Sequence, residues 1–349
     1  MAALILTDLF AVPALDRAPQ SALQQMLDGK AKPPGALGRI EELALTLGLI
    51  QQRLKPVVER PVLLVFAGDH GLTRSGVAAF PSGVTVAMVD ALLAGRASAN
   101  AFARVVGAKV QVIDAGVAAD LSDRAGLIHA KVAWGTQDAS VEPAMTSAQA
   151  QAALLAGARV AQAAIADGAD LIALGEMGIG NSASAALLMH RLAPAPLDDC
   201  VGQGAGHSPE GMARKRAVLA RAGARSDVTA PFDVLTQFGG YEIAMMAGAL
   251  LAAARAGVPV LVDGFIGTAA ALLAVRLVPA ARDYCLFAHA SAEAGHRLML
   301  DAMNARPLLE LDMRLGEGTG ALLAVPLVKA ACALLSEVAE LADVLEAAG

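Results

Sequence analysis

The residues with the clearest chemical capacity lie near the end of the chain, in the run RLGEGTGALLA from Arg314 to Ala324. Besides Arg314, its one ionisable side chain is Glu317, set between Gly316 and Gly318 and followed by Thr319. Glycine lets the backbone turn sharply and lets a ligand come close. A carboxylate on such a turn, just ahead of an apolar helix, is placed to act as a base. The same residues also read as a glycine-broken helix start carrying a solvated Glu.

A second run, LGEMGIGNSASAA (Leu174 to Ala186), follows an apolar strand and opens a helix. Gly178 and Gly180 permit a tight turn, and Asn181 or Ser182 suits the N-cap. Free N–H groups at such a helix start form an anion site suited to phosphate. The order G-x-x-G-x-G is not the dinucleotide fingerprint, and no G-K-[ST] follows. The run therefore reads as a monophosphate cradle or as a plain strand-to-helix turn. A third run, VGQGAGHSPEGMARKRAVL (Val201 to Leu219), offers Gly202, Gly204 and Gly206 and then Lys215 on a helix. Backbone donors and one lysine would complete a phosphate site; the other reading is a flexible loop with a solvated lysine. His207 reads as a surface turn residue.

Other polar loops carry less. FAGDHG holds Asp69 and His70, but no H-x-x-H or Cys/His cluster accompanies them, so no metal or cofactor is expected. Asp69 is expected to cap its loop. Glu242 stands at a helix start in QFGGYEIAMMAG, where capping competes with substrate contact. HASAEAGH sets Ser291 and Glu293 at a strand end, without the G-x-S-x-G pattern of a nucleophile.

The elements that must position these loops follow a recurring pattern: a short apolar run, a glycine-rich turn, then an Ala/Leu-rich helix. The apolar runs are Val62 to Ala67, Lys109 to Ile113, Leu171 to Leu174, Val258 to Val262 and Cys285 to Ala288. Five strands alternating with helices predict an α/β fold with a mainly parallel, doubly wound sheet. Ligands in such sheets bind beyond the carboxyl ends of the strands, and each of these runs ends in one of the unusual loops. Residues 14 to 54 read as helical, interrupted by KAKPPGALGRIEELA. The first ~50 and last ~25 residues are expected to pack together as a smaller layer.

Composition sets limits. In 349 residues, 56% are hydrophobic and only 3% aromatic, so a large core must be built from Ala, Leu and Val. The net charge is −6 and the longest basic cluster is Arg214-Lys215-Arg216, which argues against a nucleic-acid partner. Mean hydropathy is +0.54. The apolar runs Ile243 to Ala254 and Gly264 to Val275 nevertheless stop at Arg255 and Arg276, short of the ~18 residues a membrane span needs. MAALILTDLF has no basic stretch and meets Asp8 early, so no signal peptide is expected. Cys200, Cys285 and Cys332 are odd in number and far apart, which argues against a disulfide framework and for a reduced, cytoplasmic setting.

Taken in order, the motifs resemble the nicotinate-nucleotide–dimethylbenzimidazole phosphoribosyltransferases of cobalamin lower-ligand synthesis. The matching stretches include KPPGALGRIEELA, FAGDHG with GVAAFPSGVT, GTQDASVEPAMT, GEMGIGNS, VGQGAG with ARKRAV, FGGYEIAMMAGALLAAA, VPVLVDGFI, HASAEAGH and PLLELDMRLGEGTGALLAVPLVKAA, from residue 32 to about residue 331. The resemblance implies a homodimer. It also implies a large Rossmann-like domain over residues 60–320 and a small helical domain from 1–59 with 321–349. It implies no cofactor. The implied catalytic residues are Glu317 as base and Glu176 as a second carboxylate. Gly178, Gly180, Asn181, Gly204, Ala205, Lys215 and Ser291 are implied to hold phosphate and ribose, and Phe80, Met88, Met177 and Leu315 the incoming base.

Departures from the family pattern are Ala205 for a usual Thr, Gly83 and Ala87 for bulkier polar residues, and Ala36 for a usual Ser. The implied reaction joins a benzimidazole nitrogen to C1 of the ribose of nicotinate mononucleotide with inversion. Its leaving group departs from a pyridinium nitrogen and needs no acid, which suits a single carboxylate base. Two other readings compete: a diphosphate-using phosphoribosyltransferase and a non-catalytic nucleotide sensor. The first would carry two adjacent acids before T-T-G, whereas LVDGFIGTAA has Gly264 in the second acid's place.

Overall fold

A computed structural model describes residues 6–202 and 206–348. The chain opens with three helices, α1 (Leu6–Leu9), α2 (Gln20–Asp28) and α3 (Arg39–Gln51). Strand β1 (Pro61–Gly68) follows, then α4 (Gly83–Leu93) and α5 (Ser98–Val106). Next come β2 (Lys109–Gly116), β3 (Leu127–His129), α6 (Ser147–Ala166) and β4 (Leu171–Met177). Helices α7 (Asn181–Leu192), α8 (Leu197–Cys200), α9 (Pro209–Arg225), α10 (Pro231–Phe238) and α11 (Tyr241–Arg255) lead to β5 (Val260–Val262). After α12 (Phe265–Leu277) come β6 (Cys285–Phe287), β7 (His289–Ala290), α13 (His296–Asp301) and β8 (Leu309–Glu310). The chain closes with α14 (Thr319–Ser336) and α15 (Leu341–Glu346).

Six strands form one sheet in the order β3-β2-β1-β4-β5-β6, with every pair parallel. All five expected strands are present. The sequence reading missed β3, a three-residue strand at the edge, and the short parallel pair β7–β8. The order reverses direction between β1 and β4, which is the switch point where loops part and a crevice opens.

Alternation along the strands builds two cores. Val62, Leu64 and Phe66 of β1 join Ile172, Leu174, Val260 and Val262 beneath α6, α7, α11 and α12. Leu63, Val65 and Ala67 face the other way, with Ala173 and Leu261, into α2–α5 and α14. A strand buried on both faces has to read as a continuous apolar run, as VLLVFA does. Ala-rich helices fit this role because small side chains pack closely on the sheet. Helix α6 starts on a capping box: the Thr146 hydroxyl accepts the Gln149 N–H at 3.2 Å, and Gln149 accepts the Thr146 N–H at 2.9 Å.

The two chain ends meet. The Ala31 N–H donates to Ala339 O and the Leu341 N–H to Gly29 O, while Lys30 pairs with Glu340 at 2.7 Å. Helix α14 is apolar and long enough, by composition, to cross a membrane, a feature the sequence reading did not flag. Most of it is buried, and Leu322, Val325 and Val328 pack on the sheet.

Candidate active site

At the carboxyl edge of the sheet lies a cavity of about 360 Å³. Its walls come from the segment 77–80, the end of β4 with the start of α7, the end of β5, the residues after β6 and the turn before α14. Glu176, Met177, Gly178, Gly180, Asn181, Ser291, Phe80, Leu315 and Glu317 all face it.

The base candidate sits on an unusual turn. Gly316, Glu317 and Gly318 have φ of +88°, +60° and +80°, three left-handed residues in a row. Gly316 is also required by proximity, because a Cβ there would fall 2.2 Å from Glu176 Oε1. The turn thus lies directly on the second carboxylate. Glu317 is buried, and its Oε2 has no hydrogen-bond partner among the described residues. Burial raises its pKa above the ordinary carboxylate range; the Ala99 backbone opposes this and the negative charge of Asp263 adds to it. Glu176 goes further, to about 8, driven by burial first and then by Asp263, with Asn181 pulling the other way.

The glycine loop takes its shape from a close approach. Gly178 packs so tightly on β1 that a Cβ would fall 2.1 Å from Gly68 O. Gly180, at φ +94°, is the N-cap of α7. Neither Asn181 nor Ser182 caps this helix, contrary to expectation. Asn181 is its first helical residue, and its amide donates to Glu176 Oε2 instead. The Ile179 N–H donates to Thr85 Oγ1 at 3.2 Å, and Thr85 donates to Asp69 at 2.7 Å. Asp69 also accepts the Ala118 N–H at 2.9 Å, so instead of the expected capping of its own loop it ties two distant segments to the end of β1.

Lys215 is fully buried on α9 and donates to Gly202 O at 2.9 Å and to Ser182 Oγ at 3.1 Å. It reaches the cavity wall through Ser182 and is not itself a wall residue. Burial lowers its pKa to about 8, against the opposing charge of Glu293. Ser291 is pinned from behind. Its N–H donates to His296 Nδ1 at 2.8 Å, so the other ring nitrogen carries the proton and donates to Thr268 Oγ1 at 2.9 Å. Burial pushes the His296 pKa down to about 3, with His289 and Arg297 adding to the effect, which keeps the ring neutral.

Several expectations shift. Met88 is half-buried on α4 against the apolar cluster and does not line the cavity. Gly204 and Ala205 lie outside the described residues. His207 borders the cavity rather than standing on an ordinary surface turn. Glu242 neither caps nor faces the cavity; it is buried and accepts from His70 Nε2 at 2.6 Å. Sequence reasoning missed Asp263 and His289 as wall residues. A carboxylate directly after the apolar run Val258 to Val262 was the available signal for Asp263. Among the described residues no cluster of three or more His, Cys, Asp or Glu is arranged to hold a metal ion. All three cysteines are free and buried.

Residues 12–344 match a family model described as phosphoribosyltransferase. Two relatives carry the name nicotinate-nucleotide–dimethylbenzimidazole phosphoribosyltransferase. The protein of Cupriavidus necator is 53% identical over 330 residues, covering 94% of this chain and 95% of its own. That of Dechloromonas aromatica is 50% identical over 337 residues, covering 95% and 96%. The chain belongs to the nicotinate-nucleotide–dimethylbenzimidazole phosphoribosyltransferase family. The crystal structure of CobT from Thermus thermophilus superimposes with a TM-score of 0.90 at 44% identity, over 93% of this chain and 98% of that one. The α/β doubly wound fold and the phosphoribosyltransferase class follow.

One consequence for this phosphoribosyltransferase concerns Glu176. Its folded pKa of about 8 lies above the ordinary 4.5. Its contribution to stability is therefore complete below the ordinary value and is lost as pH rises through the folded one. Glu176→Gln, which cannot ionise, should raise Tm relative to the parent near about pH 9 and change it little near about pH 5. A Tm difference independent of pH would show that Glu176 is not held protonated.

Proposed function

We propose that the enzyme transfers the phosphoribosyl group of nicotinate mononucleotide to 5,6-dimethylbenzimidazole, giving α-ribazole 5′-phosphate and nicotinate. The observation that carries this reading is the buried Oε2 of Glu317, without a partner among the described residues, on a residue lining a cavity that also receives a helix start. The lone-pair nitrogen of the benzimidazole attacks C1 of the ribose. The C1–N bond to the pyridinium breaks, and its electron pair neutralises the departing nicotinate. Positive charge passes to the benzimidazole ring, whose N–H becomes acidic, and Glu317 takes that proton. A carboxylate with a raised pKa is the stronger base for this task. Attack opposite the leaving group inverts C1 from β to α.

Glu176 stands beside this step. The cationic pyridinium, and then the oxocarbenium-like ribose, favour its ionised form, which in turn stabilises them. The apolar faces of Phe80, Met177 and Leu315 suit the benzimidazole, and the start of α7 suits the 5′-phosphate. Incubation with both substrates, followed by product mass and anomeric configuration, tests the reading; a β-anomer or no product overturns it.

We assign Lys215 to the phosphate and Ser291 to the ribose. Lys215 acts through Ser182, so Lys215→Ala, which removes the charge and the hydrogen bond behind that hydroxyl, should raise KM for nicotinate mononucleotide about 10- to 100-fold. KM for the benzimidazole should stay near the parent value. The nucleoside without phosphate should be a poor substrate and lose little more with the variant. Equal reaction of nucleoside and nucleotide would remove this assignment.

We also infer a cytoplasmic homodimer, which sedimentation equilibrium tests. The division into 60–320 and 1–59 with 321–349 is supported by the backbone pairing of Gly29 and Ala31 with Leu341 and Ala339.

A further inference from the structure

We infer that Asp263 is the positioning residue for Glu317: from the end of β5 its carboxylate clamps the turn that aims the base. The inference rests on the proposed role of Glu317 and adds a residue to it.

Asp263 is 3% exposed. Its Oδ2 accepts the Gly318 N–H at 3.2 Å and its Oδ1 accepts the Ala321 N–H at 2.9 Å. The first of these N–H groups belongs to the peptide plane that joins Glu317 to Gly318. Fixing that plane fixes ψ of Glu317, and with it the direction in which the side chain leaves the turn.

A non-glycine residue in the left-handed region holds there only when its surroundings over-determine it; the Thr319 hydroxyl donates to Gly316 O at 2.8 Å from within the turn, and the Asp263 clamp holds the Glu317–Gly318 peptide from the sheet. A helix start normally carries its own capping side chain. Here the N-cap is Gly318, which has none, and a Cβ at that position would fall 2.3 Å from Leu63 Cδ1. Capping is handed to a residue 55 positions earlier in the chain. The turn that carries the base is thereby referenced to the sheet as well as to its own loop. His289 closes the other side: its Nε2 lies 3.5 Å from Asp263 Oδ1, and a Cβ at Gly320 would fall 2.0 Å from its ring. The charge of Asp263 also raises the pKa of Glu317, which strengthens it as a base.

The test combines Asp263→Asn and Asp263→Ser, each alone and in the Glu317→Gln background, with kcat and KM for nicotinate mononucleotide measured in all. Displacing a reacting group by about 1 Å costs about 100-fold in rate, so kcat of the single Asp263 variants should fall by about that factor. KM for the nucleotide should stay within about threefold of the parent, since binding is not what Asp263 controls. In the Glu317→Gln background, losing Asp263 should cost less than about threefold more, because two residues acting through one function are not additive.

Additive losses would overturn the inference, as would a raised KM with unchanged kcat. It is equally overturned if neither variant folds, which would make Asp263 a structural cap. An inactive parent enzyme would instead remove the proposed reaction before any variant is compared.

Discussion

Glu317→Gln is expected to lower turnover about 10²- to 10⁴-fold, the usual loss on removing a general base. Gln keeps the size of the side chain and loses the capacity to take a proton. The left-handed turn, the packing of Gly316 on Glu176 and the cap from Asp263 involve backbone atoms of 316–318, so the fold should survive. Nicotinate mononucleotide should bind as in the parent, because its phosphate is assigned to α7 and Lys215. The check is kcat and KM beside a thermal melt. Turnover within a few-fold of the parent would remove Glu317 from its role and leave proton removal to solvent.

The second large effect is on stability. His70→Ala should destabilise the protein by about 3 to 5 kcal/mol, the cost of removing one partner from a buried ion pair. His70 and Glu242 are both buried, and among the described residues the 2.6 Å contact is the sole hydrogen bond of either side chain's polar atoms. Burial pulls the His70 pKa down, but the charge of Glu242 and its hydrogen bond pull harder the other way, so the net direction is up. The contribution of this proton is complete below the ordinary histidine value and fades as pH rises through the folded one. Denaturant unfolding should therefore show the largest deficit on the acid side of neutrality. Replacing both residues by Leu should recover most of the loss, since no charge is then stranded. A loss under about 1 kcal/mol for His70→Ala would mean that the pair carries no net ionic term.

The sheet was legible wherever a strand is buried on both faces. VLLVFA and LIAL announce themselves because neither face tolerates polar side chains. Strand β3 did not, since LIH is three residues long, sits at the edge and ends on an exposed His129. The glycine loops were legible for the same kind of reason: Gly178 and Gly316 answer to close approaches that only glycine permits. Side-chain partners across the fold were not. Asn181 looked like a cap because capping is local, but it is the first helical residue and its amide donates to Glu176 instead. Glu242 does stand in the first turn of α11, but its partner, His70 just past β1, is distant in sequence and left no local signal. Asp263 showed no role, because the helix it caps comes 55 positions later. Met88 was assigned through resemblance, and its place on α4 turns it toward the core cluster.

The position of α14 has a consequence for how this chain is made. The face of the sheet formed by Leu63, Val65, Ala173 and Leu261 is covered in part by Leu322, Val325 and Val328. During translation the strands precede this cover; at about 5 to 20 residues per second the interval to α14 is some tens of seconds from β1 and a few seconds from β6, which completes the sheet. Over that time the growing apolar parallel sheet lacks part of one layer, and α2 and α3 lack the helix that they share with it. Such surface is what holding chaperones bind. The segment that seals the sheet also delivers Glu317 to its edge, so a nascent chain acquires the proposed base and this core helix together.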